Sequence, residues 1–212
     1  MKINPIIGTT YRIDNINKRK INFCSIKTNP ICDVFEKNSN SKILLQDKDK
    51  KSIEVDFRER KIQHNLEKII GENPKNIVIV KDGEDLASII FSDHYKKDTL
   101  CINGLMCQKA RNKGYKKTGT ELLKIAIKES MKRGYGGKIH VCASYSPPPF
   151  VFYYKNNFLP EGRYEKYLEL IDYAANENEN IENLMPDITS MPMFLDEKGA
   201  KAVLENRRLY SK

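Results

Sequence analysis

A basic, glycine-bearing turn leads directly into an amphipathic helix in the second half of the chain. The turn begins at Gly114, and the helical spacing of apolar residues from Leu122 onward predicts a helix over residues 118–133. Thr118 and Glu121 fit the S/T-x-x-E capping pattern, which places the start of the helix at Thr118. Because the first N–H groups of a helix have no partner within it, this turn predicts a seat for an anion.

Positive charge surrounds this turn. Five basic residues lie close together with no acidic residue among them: Lys109, Arg111, Lys113, Lys116 and Lys117. This local positive potential attracts phosphates, whether they belong to a nucleotide-like cofactor or to nucleic acid. The formal net charge of +9 also indicates a partner of one of these two kinds. Gly119 lets the backbone approach such a ligand closely.

The hydrophobic pattern predicts strands on both sides of the helix. The predicted strands cover residues 53–57, 77–80, 86–92, 100–107, 139–143 and 190–195, with a hairpin turn at Asp82-Gly83. The other predicted segments are helices over residues 62–70, 164–173 and 197–205, a short helix through Tyr154, and a surface loop over residues 176–183. This order predicts an α/β fold.

The first 45 residues have weak periodicity, so we treat residues 46–212 as a single domain. No apolar run approaches the ~18 residues of a membrane-spanning helix, and the N-terminus lacks the apolar core of a secretory signal.

Five cysteines without a C-x-x-C pair indicate reduced thiols and a cytoplasmic protein. The Asn-, Ile-, Thr- and Lys-rich N-terminus leaves a secreted bacterial effector as the alternative. His64, His94 and His140 show no ligand spacing with the cysteines, so we expect no metal site.

Two motifs frame the central part of the chain. The turn reads Gly114-Tyr115-Lys116-Lys117-Thr118-Gly119, and a later segment reads Phe152-Tyr153-Tyr154-Lys155-Asn156-Asn157-Phe158. With the strands between them, residues 76–158 resemble the GNAT acetyltransferase superfamily, whose pyrophosphate loop has the form Q/R-x-x-G-x-G/A. The loop departs from that form at Gly114 and at Lys117, where the family usually has glycine, and Asn157 replaces a second family glycine.

The resemblance implies a GNAT-like fold, with a mixed, mainly antiparallel sheet flanked by helices and splayed around acetyl-CoA. It also implies an acetyl-CoA-dependent N-acetyltransferase that acts by direct attack of a primary amine, on a small molecule or a protein. Tyr153 holds the position of the general acid, with Tyr154 as its rival, and an acyl-cysteine route through Cys107 or Cys142 is a minor alternative. The implied cofactor-binding residues are Leu105, Cys107, Arg111, Lys116, Lys117, Thr118, Gly119, Thr120 and Ser146.

The resemblance does not identify the general base or the acceptor. We choose His94 as the base because the ordinary pKa of a histidine lies near ~6.5, with Asp93, Asp56 and Glu59 as rivals. A GNAT-type toxin that acetylates aminoacyl-tRNA is an alternative function, and oligomeric state is open. A non-catalytic module that binds nucleic acid through residues 109–117 is the alternative from another class.

Overall fold

In the computed structural model, the described residues are 42–62, 70–95, 98–144 and 148–210. They form one sheet of eight strands: β1 (Lys42–Gln46), β2 (Ser52–Arg60), β3 (Lys75–Lys81), β4 (Glu84–Asp93), β5 (Leu100–Met106), β6 (Ile139–Ser144), β7 (Leu159–Pro160) and β8 (Ser190–Leu195). The strand order is β1-β2-β3-β4-β5-β6-β8-β7, and only β5 and β6 pair in parallel among these strands. The predicted α/β fold with a mixed, mainly antiparallel sheet is confirmed.

Six α-helices accompany the sheet within the described residues: α1 (Gln108–Asn112), α2 (Thr118–Lys132), α3 (Phe150–Lys155), α4 (Leu168–Glu177), α5 (Ile181–Leu184) and α6 (Glu197–Leu204). Helix α2 packs on β4 and β5 because its apolar residues recur on one face, where Leu122, Leu123 and Ala126 are fully buried. None of the helices in the described ranges is long and apolar enough to cross a bilayer.

The structure differs from the sequence prediction at several element boundaries. Strand β1 lies partly within the first 45 residues, where no strand was predicted. The helix predicted over 164–173 begins as a 3₁₀ helix, Gly162–Tyr167, and becomes α4 only at Leu168. The predicted loop over 176–183 was wrong in part, because the Asn180 side chain caps α5 by accepting from the Glu182 N–H at 3.1 Å.

The described residues belong to one of two compact units, Val34–Lys212, whereas the other unit, Met1–Asp33, lies outside them. Most of the helix predicted over residues 62–70 is also outside the described ranges. The hairpin turn between β3 and β4 is confirmed, since Asp82 and Gly83 both have positive φ, 51° and 80°.

Strands β5 and β6 pair over only three residue pairs, from Leu100 opposite Ile139 to Ile102 opposite Val141. Beyond that point, the described residues of the two strands exchange no further ladder pairs. On the β4 side, Phe91 pairs with Ile102 and Ile90 pairs with Gly104, so Asn103 has no ladder partner and forms a bulge at the same place. A gap therefore opens in the sheet beside the second half of β5.

Asn157 connects the segment after α3 to the C-terminal part of the chain. It is buried and left-handed, with φ of 63°, a conformation that asparagine tolerates better than most residues. Its amide nitrogen donates to the carbonyl of Arg207 at 2.9 Å, and its amide oxygen accepts from the N–H of Leu209 at 2.7 Å. A glycine at this position would supply the same backbone conformation but neither hydrogen bond.

We predict that Asn157→Ala lowers the free energy of unfolding by about 2–4 kcal/mol, because it removes two buried hydrogen bonds and places alanine at positive φ. Asn157→Gly removes the same hydrogen bonds without backbone strain, so it should cost about 1 kcal/mol less than the alanine variant. Denaturant unfolding of the two variants measures both values. Equal losses would show that the left-handed backbone carries no strain for alanine.

Candidate active site

The N-terminus of α2 carries backbone N–H groups that the protein itself leaves available. Lys117 precedes the helix with φ of 61°, in the left-handed region, and no side chain caps the helix. The N–H of Glu121 donates to the carbonyl of Lys117 at 3.0 Å. The N–H groups of residues 118–120 have no hydrogen-bond partner among the described residues, and the helix dipole adds positive potential there.

The predicted capping box is wrong. Thr118 is the first residue of the helix rather than its cap, and its hydroxyl is buried without a hydrogen-bond partner. The Glu121 carboxylate instead accepts from the Lys124 ammonium at 2.7 Å. The physical reason is that the residue before the helix is Lys117, whose left-handed backbone and long side chain do not suit a cap. The uncapped end and the orphaned hydroxyl together suit an anionic ligand.

Gly119 is constrained by packing within the protein. A Cβ at this position would lie 2.9 Å from two carbons of the Phe152 ring and 3.6 Å from the Cys107 sulfur. A side chain at residue 119 therefore requires the Phe152 ring to move. Packing against Phe152 is thus a reason for glycine at residue 119, in addition to the predicted approach of a ligand. The same packing brings the starts of α1 and α2 beside α3.

The basic run around this turn is partly neutralised. Lys113 forms an ion pair with Glu84, and the Lys109 ammonium lies 3.9 Å from the same carboxylate. Arg111 and Lys116 are exposed, and the N–H of Lys116 donates to the carbonyl of Gln46 in β1 at 2.7 Å. The positive charge that is left to attract an anion to the start of α2 is therefore smaller than the sequence indicates.

Tyr153 lies on α3 with only 4% of its surface exposed. Its ring packs edge-on against Phe152 and Phe158, with centroid distances of 5.1 and 5.2 Å. Burial raises the pKa of Tyr153 well above its ordinary value, and the neighbouring thiols of Cys107 and Cys101 raise that pKa further. The phenol is therefore protonated at neutral pH and lies near two sulfur atoms contributed by β5 and the residue after it.

Tyr154 has a different environment. Its hydroxyl donates to the Asp172 carboxylate of α4 at 2.8 Å, and the Arg208 guanidinium lies over its ring at 5.3 Å. Burial, followed by the hydrogen bond to Asp172, raises the pKa of Tyr154 to about 12. Tyr154 thus joins α3 to α4, which leaves Tyr153 as the tyrosine of this helix near the β5 thiols.

His94, the predicted general base, and its rival Asp93 lie at the end of β4 but have different surroundings. Asp93 accepts from Asn73 at 2.7 Å and from Arg133 at 2.6 Å. Burial by itself would raise the pKa of Asp93, but these hydrogen bonds outweigh it and hold the pKa below its ordinary value. His94 instead lies beside His140, with ring centroids 4.5 Å apart. Asp93 is thus an ionised structural group.

Burial also controls the cysteines that were considered as nucleophiles. It raises the pKa of Cys107 to about 11, only partly opposed by Arg111, and it raises the pKa of Cys142 as well. Both thiols are therefore protonated at neutral pH. Because the thiolate is the reactive form, this environment does not activate either residue.

Among the predicted site residues, Gly119 lies beside Cys107, and Cys107 is within electrostatic range of Tyr153. Leu105 lies half-buried in β5, beyond the end of its pairing with β6. Ser146 lies outside the described residues. Sequence reasoning found no ligand spacing between His140 and the cysteines, yet His140 pairs directly with Cys101 across β5 and β6, because the strand order makes them neighbours.

Comparisons with known proteins identify similar structures. No protein-family model matches the sequence, and no curated protein matches it significantly. A Bacillus subtilis acetyltransferase in complex with CoA is similar, with 14% identity and a TM-score of 0.45, over 67% of this chain and 98% of the other. Nourseothricin acetyltransferase has 16% identity and a TM-score of 0.39, over 77% and 83%. An aminoglycoside 6'-N-acetyltransferase complexed with coenzyme A has 14% identity and a TM-score of 0.36, over 62% and 77%. At these values the likeness carries no conclusion about activity.

The left-handed conformation of Lys117 leads to a stability prediction. Lys117→Gly should raise the free energy of unfolding by about 0.5–1 kcal/mol, because glycine adopts positive φ without steric cost. Lys116→Gly is the matched control, since Lys116 is exposed and outside the left-handed region, and it should be destabilising. Urea unfolding measures both. Destabilisation of the two variants by similar amounts would contradict the strain at Lys117.

Proposed function

We propose that this chain is a GNAT-type N-acetyltransferase that moves an acetyl group from acetyl-CoA to a primary amine of a small molecule or a protein. The observation that carries the proposal is the uncapped N-terminus of α2 beside the gap between β5 and β6, with Tyr153 close to the same gap. Acetyl-CoA is a long thioester that carries a pyrophosphate. Binding it requires an anion site and an unpaired strand edge, and acyl transfer from it requires a proton donor such as a protonated phenol.

The N–H groups of residues 118–120 would hold the pyrophosphate. They point out of an uncapped helix end, where the helix dipole favours negative charge. The buried hydroxyl of Thr118 has no partner and supplies one further donor. Lys116, Lys117 and Arg111 are exposed around this end and add long-range attraction. The residues present therefore fit a pyrophosphate group.

The unpaired part of β5 would hold the pantetheine arm. Amide groups along that arm need backbone partners, and β5 lacks ladder partners on the β6 side beyond Ile102. The backbone of Leu105 and Cys107 is the part of this edge nearest the start of α1. The thioester would then lie near Cys107, whose sulfur is one of the groups neighbouring Tyr153.

Acetyl-CoA supplies an acetyl group on a thiol leaving group, so the chain has to stabilise the departing sulfur. Tyr153 holds its proton at neutral pH and can donate a hydrogen bond or the proton itself. A free thiol has a pKa near ~8.5, well below that of a buried phenol.

The acceptor amine must lose a proton before it attacks. His94 remains our predicted base, because it lies beside Cys101 and that thiol also neighbours Tyr153. Direct attack is favoured over an acyl-cysteine route, since the raised pKa values of Cys107 and Cys142 keep both thiols protonated. A nucleic-acid module gains less support, because Glu84 neutralises part of the basic run that motivated it.

We predict that Lys117→Asp weakens acetyl-CoA binding at least tenfold in calorimetric titration. Aspartate tolerates positive φ and its charge suits a helix N-terminus, so the fold should be kept. The new carboxylate would occupy the anion-binding site at the start of α2 and repel the pyrophosphate. Lys128→Asp is the matched control, since it makes the same charge change at an exposed position further along α2. Equal affinity of the two variants, or no binding by the wild type, would contradict the proposal.

Tyr153→Phe should lower turnover by about 10²-fold or more while leaving acetyl-CoA affinity within a few-fold, because only the proton donor is removed. Tyr154→Phe should keep turnover within a few-fold but lose about 1–2 kcal/mol of stability with its hydrogen bond to Asp172. Thiol release from acetyl-CoA, measured with a panel of primary amines, reports turnover. Unchanged turnover in Tyr153→Phe would remove this tyrosine as the donor.

A further inference from the structure

Three metal-ligating side chains meet on one face of the sheet. His94 directly follows β4, Cys101 lies in β5 and His140 lies in β6, so adjacent strands contribute one side chain each. Cys101 and His140 are direct partners in the parallel ladder. One ligand atom from each of the three side chains can be chosen so that all lie within 4.8 Å of one another. All three residues are half-buried.

A carboxylate supports this cluster from behind. The Nε2 of His140 lies 2.6 Å from a carboxylate oxygen of Glu161, the residue after β7. A hydrogen bond of this kind fixes the orientation of an imidazole, makes its other nitrogen a stronger ligand and recurs behind metal-bound histidines. The pairing is independent of Cys101 and His94, so it is a second observation in favour of a metal-binding histidine.

The donor set selects a class of metal. Two imidazoles and one thiol suit Zn²⁺ or Cu⁺, whereas Mg²⁺ and Ca²⁺ prefer oxygen ligands. In a tetrahedral zinc site, bond lengths of about 2.0–2.3 Å place the ligand atoms roughly 3.5 Å apart. The present separations would close by side-chain movements of about an ångström.

We propose that His94, Cys101 and His140 form a zinc-class metal site with a fourth position open to water or another ligand. Binding forms a metal–sulfur bond and releases the Cys101 proton to solvent, with no change of oxidation state. A metal here would take the imidazole lone pair that His94 needs as a base, so metal binding and base function exclude each other. The site does not depend on the proposed acetyl transfer.

Titration of the whole chain with Co²⁺ under reducing conditions tests this site, because Co²⁺ reports a thiolate ligand through its near-ultraviolet charge-transfer absorption. We expect this absorption to saturate at one equivalent and to be displaced by Zn²⁺. Cys101→Ser should abolish it. Glu161→Gln should retain the absorption and weaken metal affinity by about 10–100-fold.

Cys107→Ser is the matched control, because it removes another half-buried thiol, at the residue directly after β5, and should keep the absorption. His140→Gln should lose tight binding because it removes one of the three ligands. Circular dichroism verifies that each variant is folded. Absence of the thiolate absorption in the wild type would overturn the proposal. Its persistence in folded Cys101→Ser would also overturn it.

Discussion

The early end of the pairing between β5 and β6 is the constraint on which the rest of the site depends. After three parallel pairs, the described residues of the two strands exchange no further ladder pairs, and Asn103 forms a bulge in β5 at the same place. Backbone groups that would have been satisfied within the sheet become available to a ligand, at a cost that only a partner can offset. The thiols of Cys101 and Cys107 both raise the pKa of Tyr153, so the phenol is within electrostatic range of this same part of the chain.

The second contribution is an unfavourable backbone conformation at the start of α2. A lysine at positive φ costs about 1 kcal/mol or more, and such strain often marks functional sites. It changes the direction of the chain one residue before the helix, so that Thr118 begins the helix and no side chain caps it. The first N–H groups of the helix therefore have no side-chain cap, and the buried Thr118 hydroxyl beside them has no hydrogen-bond partner. We therefore interpret Lys117 as a residue whose conformation, as well as its charge, prepares the anion seat.

Regular elements were predictable because their signal is local. The spacing of Leu122, Leu123 and Ala126 predicts the buried face of α2, and Asp82-Gly83 predicts the hairpin between β3 and β4. The capping error arose because the sequence pattern does not reveal that Lys117 is left-handed. A single sequence does not predict that Phe152 packs on Gly119 or that His94, Cys101 and His140 lie together. Both arrangements depend on the order of the strands in the sheet. The sequence left Tyr154 as a rival to Tyr153, and their surroundings differ because the Tyr154 hydroxyl donates to Asp172.

The central claim is that the N–H groups at the start of α2 bind the pyrophosphate of acetyl-CoA. Amide hydrogen exchange with residue resolution, with and without acetyl-CoA, tests it most directly. The account predicts that the amides of Thr118, Gly119 and Thr120, which have no partner among the described residues, gain protection when the ligand is bound. Binding that leaves these three amides as exposed as before would contradict it.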